Sequence, residues 1–129
     1  MLLAVATLSA QNTDSKNNVR ESVSDSIFVV VEQKPEFPGG EEALYQFLAS
    51  NLNYPNTAKE QNIKGRVIVS FVVEKDGRIT NAKVIRDIGG GCGDEALRVV
   101  NKMPRWKPGK QKGKPVRVQF SLPFVFKLE

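Results

Sequence analysis

The clearest hydrophobic pattern in the chain has a period of two and covers residues 64–74. Because side chains alternate between the two faces of a strand, this pattern predicts a β-strand. One face would carry Val67, Val69, Phe71 and Val73, and the other would carry Arg66, Ile68, Ser70, Val72 and Glu74. Both faces hold apolar residues, so we expect this strand to lie in the centre of a sheet.

Three further segments have the composition of strands. Residues 79–86 follow Asp76-Gly77, a dipeptide that favours a hairpin turn between two β-segments. Residues 27–31 are a β-branched run that predicts a short strand. Residues 116–122 alternate apolar and polar positions, which predicts a strand with one buried face. Pro123 cannot donate to a strand ladder, so we expect this last strand at a sheet edge or a bulge.

Three helices are predicted between these strands. Leu44, Phe47 and Leu48 recur at helical spacing and predict a helix over residues 40–51. A short second helix should follow over residues 55–61, and a third should begin at Asp94-Glu95 and end before Pro104. Residues 110–114 are expected to form a basic turn. The order strand, helix, helix, strand, strand, helix, strand predicts an α+β fold, with helices packed on one face of a small antiparallel sheet.

The beginning of the chain differs in character from the rest. Residues 1–10 are apolar and end in small residues, which predicts a signal-peptide remnant cleaved after Ala10, although ten residues are fewer than the roughly 20 that span a bilayer. Residues 11–26 are polar and predict a flexible tail. We therefore expect an exported, periplasmic protein whose single folded domain covers residues 27–129, with no membrane span in this chain.

Charge is distributed unevenly along the 129 residues. The formal net charge is +5, yet residues 98–129 carry nine Lys and Arg side chains against one acidic residue. This basic third is expected to be a solvated face or one that meets an acidic partner. Nucleic acid is not expected, because only Trp106 accompanies the basic residues and an export signal would separate the protein from it.

The residue types needed for catalysis are scarce. Histidine is absent, which removes the commonest general base and metal ligand, and Cys92 is the only cysteine. The acidic pairs Glu41-Glu42 and Asp94-Glu95 are neighbours in sequence and would not face each other on a helix. Residues 89–93 contain four glycines without a phosphate-binding motif, which favours a connector. We therefore expect no enzymatic activity, no metal and no cofactor.

Several segments together resemble the TonB C-terminal domain family, in the form common among Bacteroidetes-type sequences. The resemblance covers about residues 35–128 and depends on the order and spacing of its parts. These are PEFPGG at 35–40, Tyr54-Pro55 with Ala58, IKGRV at 63–67, residues 69–73 with Asp76-Gly77, EALRVV at 95–100, MPRWKPG at 103–109 and GKPV at 113–116.

The resemblance implies a periplasmic domain that pairs with the TonB-box strand of TonB-dependent outer-membrane receptors, in energy-dependent transport. An edge strand permits this mode of binding, which is β-augmentation. In this family the peptide meets the edge strand and the residues just ahead of the Tyr-Pro pair. Carried onto this sequence, the peptide-binding residues are Asn51, Leu52, Asn53, Tyr54, Arg117, Val118, Gln119, Phe120 and Ser121. Trp106 is expected to be a packing residue. The transmembrane anchor and Pro-rich spacer of the full transducer are not seen in this chain.

Two functions remain open from the sequence. The first is the TonB-like peptide-binding domain. The second is a structural or oligomerising periplasmic module, in which edge strands of two copies pair to form a homodimer.

Overall fold

The computed structural model describes residues 25–128. The predicted signal-peptide remnant and residues 11–24 of the predicted tail lie outside the described residues. Eight elements are present within the described part of the chain. They are β1 (Ile27–Phe28), α1 (Glu41–Asn51), α2 (Asn56–Glu60), β2 (Gly65–Val73), β3 (Ile79–Arg86), α3 (Cys92–Val100), β4 (Gly109–Gln111) and β5 (Lys114–Phe126).

The sheet has the strand order β1-β5-β2-β3, with β4 paired to the start of β5. β2 is central, as its two-faced pattern predicts, and pairs antiparallel with β5 from Gly65↔Phe126 to Val73↔Val118. β1 runs parallel to β5, so the sheet is mixed rather than wholly antiparallel. The predicted α+β class is confirmed, with one short parallel pair added to the antiparallel ladders.

The core lies on the sheet face that carries the alternating residues of β2. Val67, Val69, Phe71 and Val73 are fully buried there. α1 contributes Leu44 and α3 contributes Ala96, Val99 and Val100 to the same cluster. Both helices therefore cover one face of the sheet, and β5 closes the core with Leu122, Phe124 and Phe126.

The predicted hairpin between β2 and β3 is present and turns at Gly77. The backbone of Gly77 has a φ of +89°, and a Cβ added there would lie 2.0 Å from the carbonyl oxygen of Trp106. The Trp106 N–H also donates to the Gly77 carbonyl at 2.9 Å. Only glycine fits both the left-handed backbone and this close approach.

Three predicted boundaries are wrong, and one of them belongs to the last strand, which continues through Pro123 to Phe126 instead of ending at residue 122. The first strand pairs over two residues rather than residues 27–31, and Val29 and Val30 are 74% and 84% exposed. Residues 110–114 are not a simple turn, because β4 pairs with residues 114–116 and the chain reverses at Lys112 and Gly113, both with positive φ. On the other side of this hairpin, backbone hydrogen bonds join Gln33 to Lys110 and Glu36 to Lys107.

Candidate functional site

The outer edge of β5 leaves most of its backbone without a partner strand. On its inner side β5 pairs with β2 along nine residues, but on its outer side β1 reaches only Arg117 and Val118. Within residues 25–128, no strand pairs with the outer side of β5 beyond Val118, and no backbone hydrogen bond outside the sheet involves residues 119–125. We call residues 119–125 the free edge.

Pro123 indicates which backbone groups of the free edge point outward. It lies opposite Ile68 inside an unbroken antiparallel ladder, although proline has no N–H to donate. In such a ladder alternate residues direct both backbone groups toward the same neighbour, so Pro123 belongs to the outward set. Gln119, Ser121 and Val125 share this orientation, which directs three N–H and four C=O groups away from β2. The parallel pairing of Phe28 with Val118 uses the Gln119 N–H, so the N–H groups of Ser121 and Val125 remain open.

One end of the free edge borders an apolar groove against helix α1. The groove has a volume of about 290 Å³. We call it the α1 groove, and it is lined by Tyr45, Leu48, Ala49, Leu52, Pro123, Phe124 and Val125. Tyr45 and Val125 are 60% and 50% exposed, so an apolar surface lies beside unpaired backbone groups.

A second depression borders the other end of the free edge. It has a volume of about 330 Å³, and we call it the valine groove. Its lining residues are Val29, Val30, Val31, Lys34, Pro35, Val118, Gln119, Phe120 and Ser121. The free edge thus runs between two largely apolar depressions.

The structure places the predicted residues Asn51, Leu52, Asn53 and Tyr54 at the end of α1. The Asn51 carbonyl accepts a hydrogen bond from Arg98 at 2.7 Å, and the Asn53 N–H donates to Glu95 at 2.6 Å. The Tyr54 hydroxyl donates to the carbonyl of Ile63, and its ring packs edge-on against Phe126. Of these four, Leu52 lines the α1 groove.

The predicted residues on β5 fall into two groups. Arg117 and Val118 have their outer side paired with β1, and Arg117 also binds Glu74 at 2.8 Å and the Asp25 carbonyl at 3.0 Å. Gln119, Phe120 and Ser121 begin the free edge. The Gln119 amide donates to the Ser70 hydroxyl at 3.2 Å, and the half-buried Phe120 ring contacts Phe71 and Trp106.

The structure therefore brings Leu52 and residues 119–121 to opposite ends of one edge. The stretch between them was missed by the sequence prediction, as were Tyr45, Leu48 and residues 29–31. Tyr45 precedes Leu48 by three residues and Leu52 by seven, so helical spacing could have placed these three side chains on one face.

Two carboxyl groups, those of Glu74 and Glu95, have a pKa below the ordinary value for glutamate. Hydrogen bonds from Arg117 lower the pKa of Glu74, and a hydrogen bond from Thr80 adds to this effect. Hydrogen bonds from Arg98 lower the pKa of Glu95, helped by the Asn53 N–H. Both carboxylates are therefore ionised partners in fixed hydrogen bonds, which is a structural role rather than that of an acid or base.

Other chemistry is limited in the part of the chain that the structure describes. Cys92 is buried, and that burial raises the pKa of its thiol. Within residues 25–128, no group of three or more Cys, Asp or Glu side chains could hold a metal ion. Nor does any helix in this range have the length and apolar character required to cross a membrane.

Comparison with known proteins gives consistent matches. The family model described as Gram-negative bacterial TonB protein C-terminal matches residues 50–128. Protein TonB of Pseudomonas aeruginosa is 34% identical over 76 residues, which cover 59% of this chain and 22% of that protein. The match thus spans under a quarter of the length of that relative.

Two solved structures are also similar. The solution NMR structure of the Pseudomonas aeruginosa TonB CTD has 35% identity and a TM-score of 0.47, covering 60% of this chain and 78% of that one. A solution structure of the Helicobacter pylori TonB-CTD has 22% identity and a TM-score of 0.47, covering 68% of this chain and 95% of that one.

Proposed function

The chain belongs to the TonB C-terminal family, and from this premise we propose that it binds an extended peptide by adding it as a strand to the free edge of β5. The ligand would be the TonB-box segment of a TonB-dependent outer-membrane receptor. The domain would act in the periplasm, in energy-dependent transport across the outer membrane.

The observation that carries the proposal is the outer side of residues 119–125, which is unpaired apart from the Gln119 N–H. Exposed strand edges are templates for another strand, and soluble proteins usually cover or blunt them. Here the edge borders two depressions with apolar linings. A strand laid against this edge could exchange main-chain hydrogen bonds and bury alternate side chains in the grooves, which is how β-augmentation combines affinity with specificity.

The opposite edge of the sheet is less suited to this role. Register shifts between Ile68 and Val69 and between Ser70 and Val72 interrupt the pairing of β3 with β2. Bulges of this kind twist an edge and discourage further pairing. β3 also carries Lys83 and Arg86. A peptide strand is therefore expected on β5 and not on β3.

NMR titration tests the proposal. Peptides spanning the TonB boxes of receptors encoded in the same genome are added to the isotope-labelled chain. We expect the amide signals of Leu52, Gln119, Ser121 and Val125 to shift, and those of β3 to stay in place. Shifts confined to other surfaces, or no shifts with any of these peptides, would refute edge binding.

A matched pair of variants isolates the backbone contribution. Ser121→Pro removes an outward N–H in the middle of the free edge, and Pro123 two residues away shows that the strand accommodates proline at such a position. We expect Ser121→Pro to weaken peptide binding about fivefold and Ser121→Ala to leave it nearly unchanged, because the loss of one hydrogen bond in an apolar site is worth roughly 1 kcal/mol.

The same free edge also supports the alternative of self-pairing. Two copies could join their β5 edges and form a homodimer without any receptor. Analytical ultracentrifugation separates the two functions: a dimer that Ser121→Pro disrupts and that TonB-box peptides do not dissociate would favour the oligomerising module. A monomer at all concentrations would exclude it.

A further inference from the structure

A charged cluster on α3 holds the end of α1. Glu95 and Arg98 lie one turn apart on α3, and the Arg98 guanidinium donates to both Glu95 carboxylate oxygens at 2.8 and 2.7 Å. The same guanidinium donates to the Asn51 carbonyl, and Glu95 accepts from the Asn53 N–H. The Glu95–Arg98 pair therefore forms hydrogen bonds with the backbone on each side of Leu52.

These hydrogen bonds satisfy backbone groups that a helix end leaves without partners. The last carbonyls of a helix have no intrahelical donor, and Arg98 supplies one to Asn51. Leu52 follows with an extended backbone, φ −82° and ψ 121°, and its N–H still bonds the Leu48 carbonyl at 2.8 Å. The position of Leu52 is thus fixed from its own helix and from α3 together.

Leu52 forms part of the wall of the α1 groove, with Tyr45, Leu48 and Val125. These side chains offer the ligand no charged group. A groove of this composition accepts an aliphatic side chain and disfavours a charged one, because a charge would lose its water without gaining a partner.

We propose that Glu95 and Arg98 are positioning residues for ligand recognition, which hold Leu52 so that the α1 groove accepts one aliphatic side chain of the added strand. The proposal rests on the proposed function and adds a specificity determinant to it. Neither charged side chain needs to touch the ligand.

A purely structural role for this pair makes a different prediction. If Glu95 and Arg98 only stabilised the fold, their loss would weaken binding of every peptide by the same factor. If they position the groove wall, their loss should act on the one ligand side chain that the wall contacts. A double-mutant cycle between protein and peptide measures this difference directly.

The experiment uses the TonB-box peptide that gives the largest shifts in the titration above, with each of its aliphatic residues changed to alanine in turn. For the wild-type chain we expect one of these changes to weaken binding about tenfold, as for a buried aliphatic contact. For Arg98→Gln the same change should cost only about twofold, while Arg98→Lys should recover part of the difference.

Two further variants provide a second test and a control. Glu95→Gln removes the ion pair but keeps an acceptor for the Asn53 N–H, so it should show the same reduced coupling even if Arg98→Gln does not fold. Arg78→Gln breaks a comparable exposed pair with Asp76 at the β2–β3 turn, at 2.9 Å, and should behave as wild type.

The outcomes are separable. If alanine substitution in the peptide costs the same affinity with wild type, Arg98→Gln and Glu95→Gln, the positioning role is overturned while edge binding stays intact. Failure of the wild-type chain to bind any of the peptides would overturn the proposed function and this inference with it.

Discussion

Gly77 is a single residue on which the β2–β3 hairpin and the approach of Trp106 both depend. Replacement by alanine would place a Cβ against the Trp106 carbonyl oxygen in addition to straining the left-handed backbone. We expect Gly77→Ala to lower the free energy of unfolding by about 3 kcal/mol, measured by urea denaturation.

Gly89 provides the matched control for this prediction. Its φ of +86° is nearly the same, but an added Cβ would meet nothing within 4 Å. Gly89→Ala should therefore cost only the backbone strain, about 1 kcal/mol. If the two variants lower the free energy of unfolding equally, the close approach of Trp106 does not contribute to the cost of Gly77→Ala.

The Glu74–Arg117 pair predicts a pH dependence of stability. Because hydrogen bonds from Arg117 lower the pKa of Glu74 in the folded state, the pair stabilises the fold above the ordinary Glu pKa of about 4.5 and loses this effect as the pH falls through the folded value. At pH 7, Glu74→Gln should lower the free energy of unfolding by about 1–2 kcal/mol.

Urea denaturation at a series of pH values measures this dependence. The gap between wild type and Glu74→Gln should narrow steadily below pH 4.5. Glu60→Gln, at an exposed position without an ion pair among the described residues, should match wild type throughout. A gap that widened on acidification would contradict the sign of the argument.

At the scale of the elements, local patterns predicted those whose side chains meet the core directly. β2 was predictable because its period of two places Val67, Val69, Phe71 and Val73 on the buried face. The β2–β3 hairpin was predictable from Asp76-Gly77. β4 was missed because its three residues, Gly109–Gln111, contain no apolar side chain, so its pairing depends on backbone geometry at Lys112 and Gly113.

The candidate site was predictable only in part. The sequence indicated an edge strand, and the family resemblance indicated residues at both ends of the free edge. The α1 groove could not be derived, because Tyr45 and Val125 are eighty residues apart and line one groove only because the fold places α1 beside β5. The first strand was predicted too long, because β-branched residues favour extended structure but do not determine whether a partner strand is present.

β1 leads to a prediction about ligand length. Its two residues occupy the outer side of Arg117 and Val118, so a peptide longer than the free edge must displace β1 to gain further pairing. Phe28→Pro should weaken β1, because proline removes a backbone donor from a ladder of only two residues. Phe28→Ala, which changes the same side chain but keeps the backbone donor, is the control.

Calorimetry with a TonB-box peptide, and with the same peptide extended by two residues at either end, provides the measurement. We expect the extension to add little affinity for wild type and Phe28→Ala, and several-fold for Phe28→Pro, since two more ladder positions become available. An equal gain in all three proteins would mean that β1 does not compete for the edge.

Across the whole molecule, Trp106 connects the elements that surround the core. Its ring lies within 6 Å of Phe37, Phe71 and Phe120, each edge-on, and it is 4% exposed. This confirms the prediction of a packing residue. Its indole N–H is buried without a hydrogen-bond partner among the described residues, so the side chain contributes apolar contacts at the cost of an unsatisfied donor.

These two effects oppose each other in Trp106→Phe. The smaller ring leaves a cavity, but the unsatisfied donor, which costs about 1–3 kcal/mol, is removed. We expect the free energy of unfolding to change by less than about 1 kcal/mol, followed by far-UV circular dichroism. Phe71→Leu also reduces a buried ring but removes no polar group, so it should destabilise the protein more clearly. If Trp106→Phe lowers the free energy of unfolding more than Phe71→Leu does, the unsatisfied indole N–H does not destabilise the protein.

The parallel pairing of β1 with β5 also determines how the domain would carry mechanical load. A pull on the chain at Asp25, opposed by a pull on a peptide held along the free edge, would have two routes through the protein. The covalent route runs from Phe28 through every helix and strand before it reaches β5. The second route is the β1–β5 contact, which the hydrogen bond from Arg117 to Asp25 reinforces. Through it, the chain at Asp25 and the bound peptide would both be attached directly to β5. Tension along the strand axis would shear this short contact rather than peel it, and the core would bear the force only after the contact had broken.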